Sequence, residues 1–375
     1  MFSKRIFLSI FVILILSACT ANNSENNPKE KKFTKMKDTS FIISLSNTLK
    51  SGTEIIYFDS KGNSIKDSLL NSGYSIISST QSKDNIYFNS SRSNDYFTIN
   101  KKSGSLKEGN LKSMSKTTED EGSFFINASN SYVFKDINIG YTDKGYESEF
   151  IYWTDNNDDK KQHIKLKGML NSARLIDGKF YILSNYDDEY LSIKVLDPNN
   201  NKIISDKRIP NKQIYFIEGN EKDAFKELDS DTIALALTDT VNQNEESKIL
   251  LINKSNLKIK KEITINQKSF SPTQIELLHD GNIAIPSSEG KVLIYDKNFK
   301  LIKSFVMKDT KEEQYLQNIQ YSKDNMYAFF KYPTQKKQNV IGHVDIYNLK
   351  KGTLTNSIDI HSKKDWETGR LELIQ

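Results

Sequence analysis

Four tyrosines and three acids are the residues most suited to recognition. Tyr141 and Tyr146 bracket a turn-forming "TDKG", and Tyr186 and Tyr190 bracket Asp187, Asp188 and Glu189. Aromatic faces beside carboxylates suit a cationic group or a protein surface. Other residue sets fall short of known chemistry. "DNNDD" (155–159) sets Asp155, Asn157 and Asp159 at the first three ligand positions of a calcium loop. Lys160 stands where that loop needs glycine, and Leu166 where it needs a bidentate glutamate. The stretch reads as a solvated turn, as does "DPNNN" (197–201). "GYTDKGY" (140–146) has phosphate-loop glycine spacing but lacks the lysine and hydroxyl residue that reach phosphate and magnesium. His163, His279, His343 and His361 are scattered, with no metal-ligand spacing. His279 lies in a His-Asp-Gly turn and reads as solvated. Neither G-x-S-x-G nor G-x-G-x-x-G occurs. No catalytic set, metal site or cofactor is expected.

Those residues sit in a chain of 375, with 37% apolar and 27% charged residues, enough for a large core. Gly (16) and Pro (6) are scarce, so Asn, Asp and Ser must make the turns. The N-terminus is the most specific signal. "MFSKR" is basic, and "IFLSIFVILIL" (6–16) is an apolar run interrupted only by Ser9. It is far shorter than the roughly 20 residues of a membrane span and fits a secretory signal. It ends in Leu16-Ser17-Ala18-Cys19, which resembles the bacterial lipobox. The resemblance implies cleavage before Cys19 and a diacylglyceryl group on its thiol, an anchor to the outer side of the cell membrane. Two acyl chains hold stably where one holds marginally. Cys19 is the sole cysteine, so no disulfide can form within the chain. Residues 1–18 are thus expected as signal peptide, 19–34 as a flexible polar tether and 35–375 as the folded domain. Lys4 and Arg5 leave with the signal, reducing the formal +5 to +3, too little for a nucleic-acid partner.

The domain repeats. An alternating apolar run, Asp or Asn, a polar turn and a second apolar run appear at 54–70, 95–109, 149–166, 191–204, 247–263, 290–305 and 342–360. The strand-ending residue is Asp59, Asn100, Asp155, Asp197, Asn253, Asp296 or Asn348. A short side-chain acceptor there can take the backbone N–H two residues on. The mean spacing of roughly 48 residues is that of propeller blades. A second hairpin precedes most copies, as in "ARLIDGKFYILS" (173–184) and "IELLHDGNIAIPS" (275–287). Each repeat therefore has four strands, A to D. "EKDAFKEL" (221–228) is the only stretch tempting as a helix.

The ends complement each other. The first module begins at a turn and strand B (35–46), and "TGRLELIQ" (368–375) is a strand A with no partner after it. A closed ring explains both, and closure manages the edge-strand problem. The expected fold is all-β, a seven-bladed β-propeller of four-stranded blades closed by the C-terminal strand joining the N-terminal blade. It resembles the broad YVTN-like, tryptophan-aspartate-repeat-like and quinoprotein-like propeller lipoproteins of bacteria. Trp153 precedes Thr154 and Trp366 precedes Glu367, so the Trp-Asp signature is absent, as is the quinoprotein tryptophan-docking motif.

The copies differ most in the B–C and D–A connections, which emerge on one face. B–C gains 138–148, 238–246 and 332–340, and D–A gains 116–122, 210–220 and 308–314. Loops elaborated on one face of a rigid ring are how such scaffolds acquire binding. The expected function is a non-catalytic binding or scaffolding module with a protein or envelope ligand on this face, centred on Tyr141, Tyr146, Tyr186, Asp187, Asp188, Glu189 and Tyr190. The alternatives are a propeller enzyme, lactonase-like or quinoprotein-like, and an envelope sensor.

Overall fold

Each repeat folds as an up-and-down sheet because its apolar alternation has the period of a strand and its turns cap themselves. The computed structural model describes residues 36–111, 122–155, 157–186, 190–209, 214–215, 223, 225–241, 244–307 and 314–374. Seven antiparallel sheets follow in chain order. Blade 1 joins Thr368–Leu373 to Phe41–Ser46, Thr53–Phe58 and Ser64–Leu70. Blade 2 is Ile76–Gln81, Asn85–Ser90, Asp95–Asn100 and Leu106–Asn110. Blade 3 is Ile126–Ala128, Tyr132–Thr142, Gly145–Thr154 and Asn157–Lys167. Blade 4 is Met169–Ile176, Lys179–Tyr186, Tyr190–Asp197 and Lys202–Ile209. Blade 5 is Phe225–Glu227, Thr232–Val241, Asn244–Asn253 and Ile259–Thr264, with Ile214–Tyr215 also paired to its second strand. Blade 6 is Glu276–Leu277, Ile283–Pro286, Lys291–Tyr295 and Leu301–Val306. Blade 7 is Tyr315–Ser322, Asn325–Lys331, Val340–Asn348 and Thr353–His361. The expected all-β ring of seven four-stranded blades is the observed one.

Closure is antiparallel. Thr368–Leu373 pairs with Phe41–Ser46 in a register that sets Leu371 against Ile43. The core lies between blades. Phe329 and Val344 of blade 7 pack with Ile43 and Leu371 of blade 1, and Phe150 of blade 3 packs with Phe180 of blade 4. Strands B and C are therefore buried on both faces, as in Phe41–Ser46, whereas D strands such as Ser64–Leu70 hold only exposed and half-buried residues. Hydrogen bonds, most of them from polar side chains, lace neighbouring blades together. The Ser46 hydroxyl accepts the Ile76 amide (2.7 Å), and the Ser78 hydroxyl accepts the Ile126 amide (3.1 Å). Asn127 donates to the Ala173 carbonyl (3.0 Å), and the Ile275 amide to the Asp223 carbonyl (2.9 Å). Asn318 closes the series, donating to the Leu371 carbonyl and accepting its amide, both at 2.9 Å. Each such bond contributes about 1 kcal/mol.

The repeat's Asp or Asn caps its C–D turn in six blades. Asp59 Oδ1 accepts the amides of Lys61 (2.9 Å) and Asn63 (2.8 Å), and Asp296 Oδ1 those of Asn298 (2.8 Å) and Lys300 (2.9 Å). Asn100, Asp197, Asn253 and Asn348 do the same for Ser103, Asn199, Ser255 and Lys351. Asp155 departs from the expected solvated turn. Its Oδ1 faces blade 2, accepting Asn85 Nδ2 at 3.0 Å and the Tyr87 hydroxyl. Two stretches expected as B–C loops are strand instead. In blades 3 and 5 the B–C hairpin runs on to Thr142/Gly145 and Val241/Asn244, because Thr, Tyr and Val there are good strand formers. Phe225–Glu227, within the helix-tempting stretch, is strand.

Candidate functional site

The four tyrosines of the sequence reading come to neighbouring hairpins on one face of blades 3 and 4. In blade 3, Tyr141 and Tyr146 are directly opposite across the B–C hairpin. The turn between them needs Gly145 at φ +94°. The Thr142 hydroxyl accepts the Lys144 amide at 3.1 Å and donates to the Gly145 carbonyl at 3.1 Å, which fixes the loop. The two rings meet edge to face, 5.1 Å apart at 86°. Tyr141 is 72% exposed, so the pair presents a ring to solvent. Beside them Lys165 pairs with Glu147 at 2.9 Å, and this hydrogen bond holds the Glu147 carboxyl below its ordinary range.

In blade 4, Tyr186 and Tyr190 are opposite across the next B–C hairpin and stack at 4.6 Å and 15°. Two cations flank the stack. Lys194 Nζ lies 4.5 Å from the Tyr186 ring centre, and the Arg208 guanidinium 3.9 Å from that of Tyr190. Lys194 is fixed from below, donating to the hydroxyls of Ser184 (3.0 Å), Ser192 (2.9 Å) and Tyr186 (2.5 Å) and pairing with Asp206 at 3.3 Å. Burial lowers the Lys194 pKa against the pull of Asp206, and burial raises that of the Tyr186 phenol. The tyrosines are thus preorganised, which reduces the entropy a partner must overcome.

Gly168 joins the two hairpins. Its amide donates to the Tyr146 carbonyl at 2.8 Å, and its carbonyl accepts the Ser148 hydroxyl at 2.9 Å. At φ +90°, a β-carbon there would stand 2.7 Å from the Asn185 carbonyl oxygen and 3.2 Å from the Tyr186 ring. Asp187, Asp188 and Glu189 lie outside the described residues. Lys194, Arg208 and Gly168 were missed in the sequence. A lysine in the middle of the apolar "LSIKVLD" was the available signal.

A second concentration of polar groups was not expected. The A strands of all seven blades line a cavity of about 240 Å³ on the axis, at the end where the A–B turns lie. Arg174 pairs there with Asp223 at 2.6 Å, and Lys226 with Glu276 at 2.7 Å. His279 is exposed, as expected of a turn residue. Among the described residues, no three His, Cys, Asp or Glu side chains group as a metal ion would need.

No protein-family model matches the chain. No curated protein matches it either. Solved structures do. A protein of unknown function from Desulfotomaculum acetoxidans superposes with TM-score 0.56 at 10% identity, covering 89% of this chain and 99% of that one. Dihydro-heme d1 dehydrogenase NirN gives TM-score 0.54 at 9% identity, covering 86% and 74%. The WD40 propeller domain of Doa1 gives 0.52 at 11% identity, covering 86% and 87%. At such identities the likeness shows the fold alone. The chain is a seven-bladed β-propeller.

Proposed function

We propose that this chain is an extracytoplasmic lipoprotein, anchored through a diacylglyceryl group on Cys19, that works as a non-catalytic binding module. It presents its B–C and D–A face to a protein or envelope ligand, with the tyrosine hairpins of blades 3 and 4 as the contact centre. One observation carries the reading. Two tyrosine pairs from separate repeats are held side by side and tied through Gly168, and Lys194 and Arg208 flank the blade 4 pair. Tyrosine and arginine are the residue types that dominate binding hot spots. Cys19 lies outside the described residues, and the anchor rests on the lipobox resemblance. Replacing Tyr141, Tyr146, Tyr186 and Tyr190 together by Ala tests the face. Cys19→Ala tests the anchor: the variant is expected in the medium or as unprocessed precursor. A mature-sized species retained in the membrane would contradict the anchor.

A second reading, a propeller enzyme, is favoured by the charged side chains converging on the axial cavity. Elemental analysis of the purified chain tests it, since bound metal at one equivalent would support catalysis there.

A further inference from the structure

The axial cavity is built from parts that a purely structural channel does not require. Its ionisable side chains come from blades far apart in sequence: Glu372 of blade 1, Arg174 of blade 4, Asp223 and Lys226 of blade 5, and Glu276 of blade 6. Burying charge costs several kcal/mol per ion unless geometry compensates, and apolar residues of similar volume would serve structure as well. The side chains of Arg174, Asp223, Lys226 and Glu276 keep 18–24% exposure, and what they are exposed to is this cavity.

The ion pairs leave hydrogen-bonding capacity over. Arg174 gives Nε to the Phe225 carbonyl and Nη2 to Asp223, and the rest of its fork has no partner among the described residues. Lys226 gives one bond, to Glu276 Oε2. Glu276 Oε1 accepts nothing from a described residue. Gln81 donates Nε2 to the Leu373 carbonyl at 2.9 Å, while its buried Oε1 has no partner. Unused donors thus sit on the cations and an unused acceptor on Glu276, around a space worth about eight water molecules, from which the Gln81 oxygen is closed off. Positive and negative groups alternate, so a singly charged ligand would meet repulsion as well as attraction.

We propose that this cavity binds a small zwitterion with the size and charge layout of a free α-amino acid. Arg174 and Lys226 take its carboxylate, and Glu276 takes its ammonium. The site lies at the A–B turn end of the axis, opposite the tyrosine face, and does not rest on the loop-face reading.

The test is calorimetric titration of the full chain with each proteinogenic amino acid, followed by the N-acetyl and carboxamide derivatives of any that bind. We expect saturable binding of at least one, weakened about tenfold or more when either charge is blocked. Glu276→Gln is expected to weaken it similarly while leaving the far-ultraviolet circular dichroism unchanged. The proposal is overturned if no free amino acid saturates by millimolar concentration, or if both blocked derivatives bind as well as the free one. The derivative comparison uses the unaltered protein, so a misfolded variant cannot obscure it.

Discussion

Asp136 shows how one buried acid can govern the stability of a blade. It accepts the Ser123 hydroxyl (2.9 Å) and the amides of Phe124 (2.9 Å) and Phe125 (2.9 Å), pinning the chain that leads into strand A of blade 3. Burial pushes its carboxyl up to about 6, against the opposing effect of those donors and of Lys135. A folded-state pKa above the unfolded value gives stability that is complete below the unfolded pKa and is lost as pH rises through the folded one. The melting-temperature advantage of the unaltered protein over Asp136→Asn should therefore shrink between pH 5 and pH 7. An advantage that grows over that range would mean the carboxylate is favoured in the fold. Tyr141 has the opposite character: at 72% exposure its loss should leave stability within about 0.5 kcal/mol. That contrast separates residues that hold the ring together from those available to a partner.

At the scale of the hairpin, Gly168 carries the coupling between the two tyrosine pairs. Gly168→Ala is expected to destabilise by about 1–3 kcal/mol, through its positive φ and the contact with the Asn185 carbonyl. It should also weaken partner binding without touching a tyrosine, because the new methyl group displaces Tyr186. Urea unfolding and a binding assay on the same variant check both halves. A variant with normal stability would show that the site relaxes freely. Elements like this were partly legible in the sequence. The tyrosines stand where hairpins turn, and Asp296 or Asn348 announces each C–D turn through its own backbone hydrogen bonds, which are local. The flanking Lys194 and Arg208 were not legible, because cross-strand stacking depends on register. The axial cavity was hidden for a stronger reason. Some of its strands are only two or three residues long, as in Glu276–Leu277 and Phe225–Glu227, and its charges meet only once all the blades are in place.

Across the whole molecule, stability rests on ring closure. Leu371 is fully buried between Phe329 of blade 7 and Ile43 of blade 1, and its backbone is bonded to Asn318. Leu371→Ala should cost about 2–5 kcal/mol in urea unfolding. A loss under about 1 kcal/mol would show that the ring survives without this seam. The most direct test of the account is capture of envelope partners by the membrane-anchored chain. The unaltered protein, the quadruple Tyr141, Tyr146, Tyr186 and Tyr190 to Ala variant, and an Asn298→Ala control on the opposite face are cross-linked in membranes and compared by quantitative mass spectrometry. The account predicts that a partner enriched by the unaltered protein and the control falls at least about tenfold with the quadruple variant. Equal recovery by all three would contradict it.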